Sequence, residues 1–264
     1  MYSKFQLAVK YLKYYLTASN GKGHGIHSPF VFDFIKFVLN DAKKYDCYRP
    51  IEKLRNNLLQ QSALIKVEDF GAGSGVIKTN DRIVKKIAAS SLKPKKYAQL
   101  LYRMAKYYKP NKIVELGTSF GITTSYLASA NNNTAVHSFE GAAAIAAIAQ
   151  QQFDTLGLQN VHLHKGNFED TLPAFLKNEK AVDFIFIDGN HRKQPTIEYF
   201  NSFIENVNPV ILIFDDIHWS AEMEEAWEYI KNHKKINLSI DLFFIGIVCI
   251  KKELLVKQHF NIRY

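Results

Sequence analysis

Apolar residues recur along this chain in two periods, and the change between them divides it. Up to residue 90 the period is helical. Phe5, Val9, Leu12 and Leu16 fall on one stripe of residues 3–18. That stripe predicts an amphipathic helix, either packed on its own domain, the commoner arrangement, or laid on a membrane surface. Ser28-Pro29 supplies a capping residue and a first-turn residue, so a second helix runs on through Leu39. Residues 51–65 predict a third. From Ser91 onward, helices alternate with short apolar runs. Ile113–Leu116, Thr134–Glu140, the run from Val161, Val182–Asp188 and Val210–Asp216 read as strands. Residues 236–242 and 243–250 close the series as an antiparallel hairpin. The intervening helices cover 92–108, a segment after Gly121 that carries Ile122, Tyr126 and Leu127, then 142–156, 170–178 and 221–231. Such alternation implies a mostly parallel sheet covered on both faces. The expected architecture is α/β and doubly wound, with seven strands in residues 91–264 and an N-terminal helical cap over residues 1–90.

In an open sheet of this kind, ligands bind outside the carboxyl ends of the strands. Those ends carry Glu115, Glu140, Asn167, Asp188 and the pair Asp215-Asp216. One such acid is explained by a helix cap, but five polar ends along one edge favour a site. The most informative end is Lys112–Ser129, in which a strand passes through Glu115 into a loop with Gly117, Thr118, Ser119 and Gly121. Glycine lets a ligand approach the backbone closely. The spacing is Glu-x-Gly-x-x-x-Gly, not the dinucleotide fingerprint, and the loop lacks the Lys-Ser/Thr of a phosphate cradle. Its acid favours a ligand with positive charge or sugar hydroxyls.

This stretch resembles motif I of the class I S-adenosylmethionine-dependent methyltransferases, a Rossmann-like family. The resemblance implies that Glu115 lies near the methionine ammonium and that Gly117, Thr118, Ser119 and Gly121 line the cofactor. It also implies that Glu140 binds the ribose hydroxyls, while Asn167 and Phe168 face the adenine. From residue 91 to 250 the chain is similar to the small O-methyltransferases of the catechol and caffeoyl-CoA type. Phe186-Ile-Asp188 and Asp215-Asp-Ile-His-Trp219 stand where that group has its metal ligands. The implied triad is Asp188, Asp215 and Asp216, and its three carboxylates suit Mg²⁺. Asp188 counts as a cofactor and catalytic residue too. His191 replaces the family's lysine and is the candidate general base. Asp216 also departs from the family, which has Asn there.

Net charge is +9, concentrated at one end. Residues 1–110 hold 21 Lys/Arg against 7 Asp/Glu, and residues 111–264 hold 13 against 18. This asymmetry keeps an RNA methyltransferase as the main rival reading, although no RNA-binding module is recognisable. A methyltransferase fold that only binds is the other. The favoured acceptor is a small-molecule hydroxyl, and related enzymes often form homodimers. The two cysteines, Cys47 and Cys249, lie far apart, and no apolar run reaches the length of a membrane span, so a cytoplasmic enzyme is expected. His24 and His27 lack a third ligand nearby and read as structural. Asp69–Gly75, a second glycine run, lacks a following strand that ends in an acid and reads as a decoy or an ordered loop.

Overall fold

The computed structural model describes residues 1–67, 81–208, 210–250 and 256–264. The glycine run Asp69–Gly75 lies outside them. In chain order the helices are α1 (Lys4–Thr17), α2 (Pro29–Phe34, continued by a π-helical turn, Ile35–Leu39), α3 (Tyr48–Gln60), α4 (Val84–Ser91), α5 (Lys95–Tyr108), α6 (Ile122–Ala128), α7 (Ala143–Leu156), α8 (Phe168–Asn178), α9 (Lys193–Asn206) and α10 (Ala221–Asn232). The strands are β1 (Leu64–Lys66), β2 (Asp81–Ile83), β3 (Lys112–Leu116), β4 (Ala135–Glu140), β5 (Val161–Lys165), β6 (Phe184–Ile187), β7 (Ile211–Asp215), β8 (Leu238–Asp241), β9 (Ile245–Cys249) and β10 (Gln258–Asn261). No described helix is long and apolar enough to cross a membrane.

The chain forms two compact units, Ala42–Asn178 and Met1–Asp41 with Glu179–Tyr264. Residue 90 lies within α4 in the first of these units, where α4 packs on α3 and α3 on α6. In that unit β3, β4 and β5 run parallel, with Glu115 opposite Ser138 and Glu140 opposite Lys165. β3 is buried along almost its whole length, as a strand covered on both faces must be. β1 and β2 form a small antiparallel pair of their own.

The other unit orders its strands β10-β8-β9-β7-β6. β6 and β7 are parallel, β9 is antiparallel to both β7 and β8, and β10 is parallel to β8. Every residue of β6 and β7 is buried. The two sets give eight strands where the sequence pattern gives seven. The eighth, β10, comes from the basic tail, whose alternating polar residues hide an edge strand of half-buried positions. Residues 81–83 pair as β2, and the helix that follows begins at Val84.

The first helix turns differently from its predicted face. Phe5, Val9, Leu12 and Leu16 are 78, 51, 58 and 69% exposed. The packed face is the aromatic one, where buried Tyr14 with Leu7 and Tyr11 meets Phe243 and Phe244. The Tyr11 and Phe243 rings meet edge to face at 5.0 Å, and the Tyr14 hydroxyl donates to the carbonyls of Asp241 and Ile262. Lys10 and Tyr2 add bonds to Glu224 at 2.8–3.0 Å. Rings with a polar handle fix this face more firmly than the aliphatic stripe could.

Candidate active site

Strand β3 delivers Glu115 to its carboxyl end fully buried. Its Oε2 accepts hydroxyl bonds from Ser138 (2.6 Å) on β4 and from Thr124 on α6. Its Oε1 is buried and has no hydrogen-bond partner among the described residues. Burial pushes the Glu115 carboxyl up to about 7, against the lowering effect of the two hydroxyls and with a further push from Glu140. A carboxylate held in this way has one oxygen anchored and one left for a donor or a cation.

The glycine loop wraps this acid. The amides of Gly117 and Thr118 both donate to the Phe139 carbonyl at 3.0 Å, which ties the loop to the neighbouring strand. Gly117, Ser119 and Gly121 have φ of 103°, 49° and 77°. Gly121 then opens α6, and a Cβ there would sit 2.6 Å from the Phe153 ring. The close packing of α6 on α7 therefore needs glycine as much as the backbone turn does.

Glu140 ends β4 and binds the same loop. One of its oxygens accepts the Ser119 amide at 2.8 Å and the other the Ala142 amide at 3.0 Å. Burial raises its carboxyl above the ordinary carboxylate value, while the amides of Ala142, Ser119 and Gly141 pull it down. After β5, Gly166 (φ 127°) leads to Asn167, whose carbonyl accepts the amides of Asp170 and Thr171 at the start of α8. Phe168 is the first residue of that helix.

In the other unit, Asp188 follows β6 and Asp215 ends β7. These two carboxylates and His191 each offer a ligand atom within 4.8 Å of the others. His191 Nε2 lies 3.6 Å from Asp188 Oδ1. Asp216 does not join that group. Its backbone is left-handed (φ 51°), and its amide donates to the Phe244 carbonyl at 2.8 Å, which closes the turn after β7. The structure thus groups His191 with Asp188 and Asp215 where the resemblance implies Asp216. His218, further along the same loop, is bridged between Glu224 (3.0 Å) and Asp241 (2.8 Å).

Comparison with known proteins bears on the fold. Residues 114–217 match the family model Methyltransf_24, a methyltransferase domain. The fold is that of a class I methyltransferase. The chain is similar to the O-methyltransferase of Bacillus cereus solved with SAH, at 18% identity and TM-score 0.53, covering 81% of this chain and 95% of that one. It is similar to TomG of Streptomyces achromogenes, an O-methyltransferase of tomaymycin synthesis solved with SAM (14%, TM-score 0.56, 82% and 95%). The SAH-bound methyltransferase PaMTH1 of Podospora anserina is a third (13%, TM-score 0.58, 85% and 97%). No curated protein matches the sequence.

Within the matched residues, all the loop residues singled out from the sequence surround one strand end. Thr124 and Ser138 were not among them, yet they hold Glu115. The available signal was polarity out of place. Ser138 puts a hydroxyl on the same strand face as Val136, and Thr123-Thr124-Ser125 puts three hydroxyls in a helix that is buried throughout.

Proposed function

We propose that this chain is an S-adenosylmethionine-dependent methyltransferase that acts on a small-molecule hydroxyl. The observation that carries this is the buried carboxylate of Glu115, with one oxygen anchored and the other without a partner, inside a backbone-lined glycine loop. An orphan anionic oxygen at that depth fits an ammonium donor. When bound, S-adenosylmethionine supplies a methyl carbon on a positively charged sulfur, whose transfer leaves a neutral thioether.

In this reading Glu115 pairs with the methionine ammonium. Glu140, already oriented by two backbone amides, uses its remaining lone pairs for the ribose hydroxyls. Gly117, Thr118, Ser119 and Gly121 line the chain, with Asn167 and Phe168 at the adenine. Asp188 contributes to cofactor binding and to catalysis. His191 takes the proton from the acceptor hydroxyl, and the Asp188 carboxylate stabilises the imidazolium that results. The structural neighbours named above include O-methyltransferases, which supports oxygen as the acceptor atom.

A second reading of the acidic cluster is favoured by the mutual distances of Asp188, His191 and Asp215. These three would hold a divalent cation, and His191 would then be a ligand instead of a base. Two carboxylates and an imidazole suit Mn²⁺ or Zn²⁺ better than Mg²⁺. Acceptor deprotonation is the chemistry that such an ion would supply.

The test is transfer of labelled methyl from S-adenosylmethionine into a cell extract separated into RNA, lipid and small-molecule pools, with divalent cations or with chelator. Label in the small-molecule pool is the expected result. If chelator abolishes it, the cluster holds a metal; if chelator has no effect, His191 is the base. Label confined to RNA would overturn the assignment and make the basic N-terminal half the substrate surface.

A further inference from the structure

The two apolar faces of α1 do different things. Leu7, Tyr11 and Tyr14 bury one face against Phe243 and Phe244. At about 100° per residue, Phe5, Val9, Leu12 and Leu16 cluster within roughly 60° on nearly the opposite side of the helix. All four are more than half exposed. Tyr15, 47% exposed, adjoins them, with the Arg263 guanidinium 4.8 Å above its ring. Four bulky side chains aligned outward are not the scattered apolar residues of an ordinary surface.

The charged residues of the helix itself are all lysines. Lys4 and Lys13, both exposed, flank it on either side, whereas Lys10 is committed to Glu224. Residues 1–32 hold four lysines and no Asp or Glu. A second copy of the chain is a poor occupant, because a self-complementary contact would bring these lysines together without an acid to pair them. The stripe is also small. It is about 17 Å long and roughly 10 Å wide, a footprint well below the ~800 Å² that each partner contributes to a stable dimer. RNA would use the lysines and stack on aromatic rings, but three of the four stripe residues are aliphatic and offer bases no stacking surface.

We propose that α1 docks on an anionic phospholipid surface. Phe5, Val9, Leu12 and Leu16 enter the boundary between headgroups and acyl chains, and Lys4 and Lys13 reach the phosphates on either side. The inner face, held by Tyr14 and by Lys10–Glu224, keeps the helix fixed to its unit while the outer face is engaged. This docking is independent of the methyl-transfer reading.

The experiment is sedimentation of the full chain with vesicles of phosphatidylcholine alone or with about one third phosphatidylglycerol. Light scattering of the chain without vesicles runs alongside. The expected result is pelleting with the anionic vesicles only. The doubly substituted chain Phe5→Ser/Leu16→Ser should bind at least tenfold more weakly, and Lys4→Glu/Lys13→Glu should lose about fivefold or more per lysine. The melting temperature should stay unchanged, since all four side chains already face solvent. Absence of pelleting, or pelleting unaffected by Phe5→Ser/Leu16→Ser, would overturn the proposal. So would a vesicle-free dimer that this variant dissociates, or binding to an RNA hairpin that depends on the lysines and not on the stripe.

Discussion

Ser138 on β4 donates its hydroxyl to the fully buried Glu115 carboxylate on β3 across 2.6 Å, and the two residues are register partners in the parallel pair. A polar pair inside an apolar sheet is costly unless something further uses it. Here the second Glu115 oxygen has no partner among the described residues, so binding function and stability should separate at this residue. In Glu115→Gln, affinity for S-adenosylmethionine should fall by about 10- to 100-fold, the worth of one charge-assisted bond. At pH 8 the ligand-free variant should be as stable as the parent chain or more so. Calorimetric titration and thermal melting check the two halves.

The same carboxyl predicts a pH dependence. Its folded-state value of about 7 lies above the ordinary 4.5. Between those values the folded chain therefore holds a proton that the unfolded chain has lost, and this contribution to stability falls as pH rises from about 4.5 through 7. The parent chain should be nearly level with Glu115→Gln at pH 4.5. It should lag behind by on the order of 3 kcal/mol at pH 8. Denaturant unfolding of both across that range measures the gap. Cofactor binding near pH 6.5 should also release a proton from Glu115, visible as a buffer-dependent heat.

Gly121→Ala should be strongly destabilising. The new Cβ would meet the Phe153 ring at 2.6 Å, on a backbone with φ of 77°. Strain and overpacking together should cost about 2–4 kcal/mol in denaturant unfolding. Adding Phe153→Leu should return only part of that, because the backbone term remains.

His191→Gln separates the two readings of the acidic cluster. If His191 is the base, kcat should fall by about 10²- to 10⁴-fold with little change in KM for S-adenosylmethionine. Added Mn²⁺ would then change nothing. If it is a ligand, added Mn²⁺ should restore part of the activity, and Asp215→Asn should weaken Mn²⁺ binding in a direct titration.

The loop after β7 offers a stability test outside the cofactor residues. His218 bridges Glu224 and Asp241 and stacks on Phe243 at 5.0 Å. Its replacement by Leu leaves two partly buried carboxylates facing an apolar side chain. A loss of about 2–3 kcal/mol is expected, read by thermal melting, together with faster proteolysis of the α1 segment that Glu224 and Phe243 help to hold.

Much of the fold was legible because its signals are local. Buried parallel strands such as Val182–Asp188 and Val210–Asp216 are uninterrupted apolar runs, and the glycine loop follows its strand at once. β10 was not legible, since an edge strand needs an apolar residue on one face only and its remaining positions look like a solvated tail. Which face of α1 packs on the protein was not legible for a related reason. Periodicity shows that a stripe exists, but it cannot weigh an aliphatic stripe against an aromatic one whose hydroxyl finds two carbonyls 227 and 248 residues away.

The sequence alone determined the strand order along the chain, the acids at the strand ends and the glycine loop, because each depends on side-chain type and spacing over a few residues. Tertiary structure decided which of those acids act together. Parallel pairing placed Ser138 against Glu115, and the left-handed turn at Asp216 directed its backbone to Phe244 while His191 came beside Asp188 and Asp215. Hydrogen bonds between residues far apart in sequence, and a single backbone angle, set those outcomes, and neither leaves a mark on local composition.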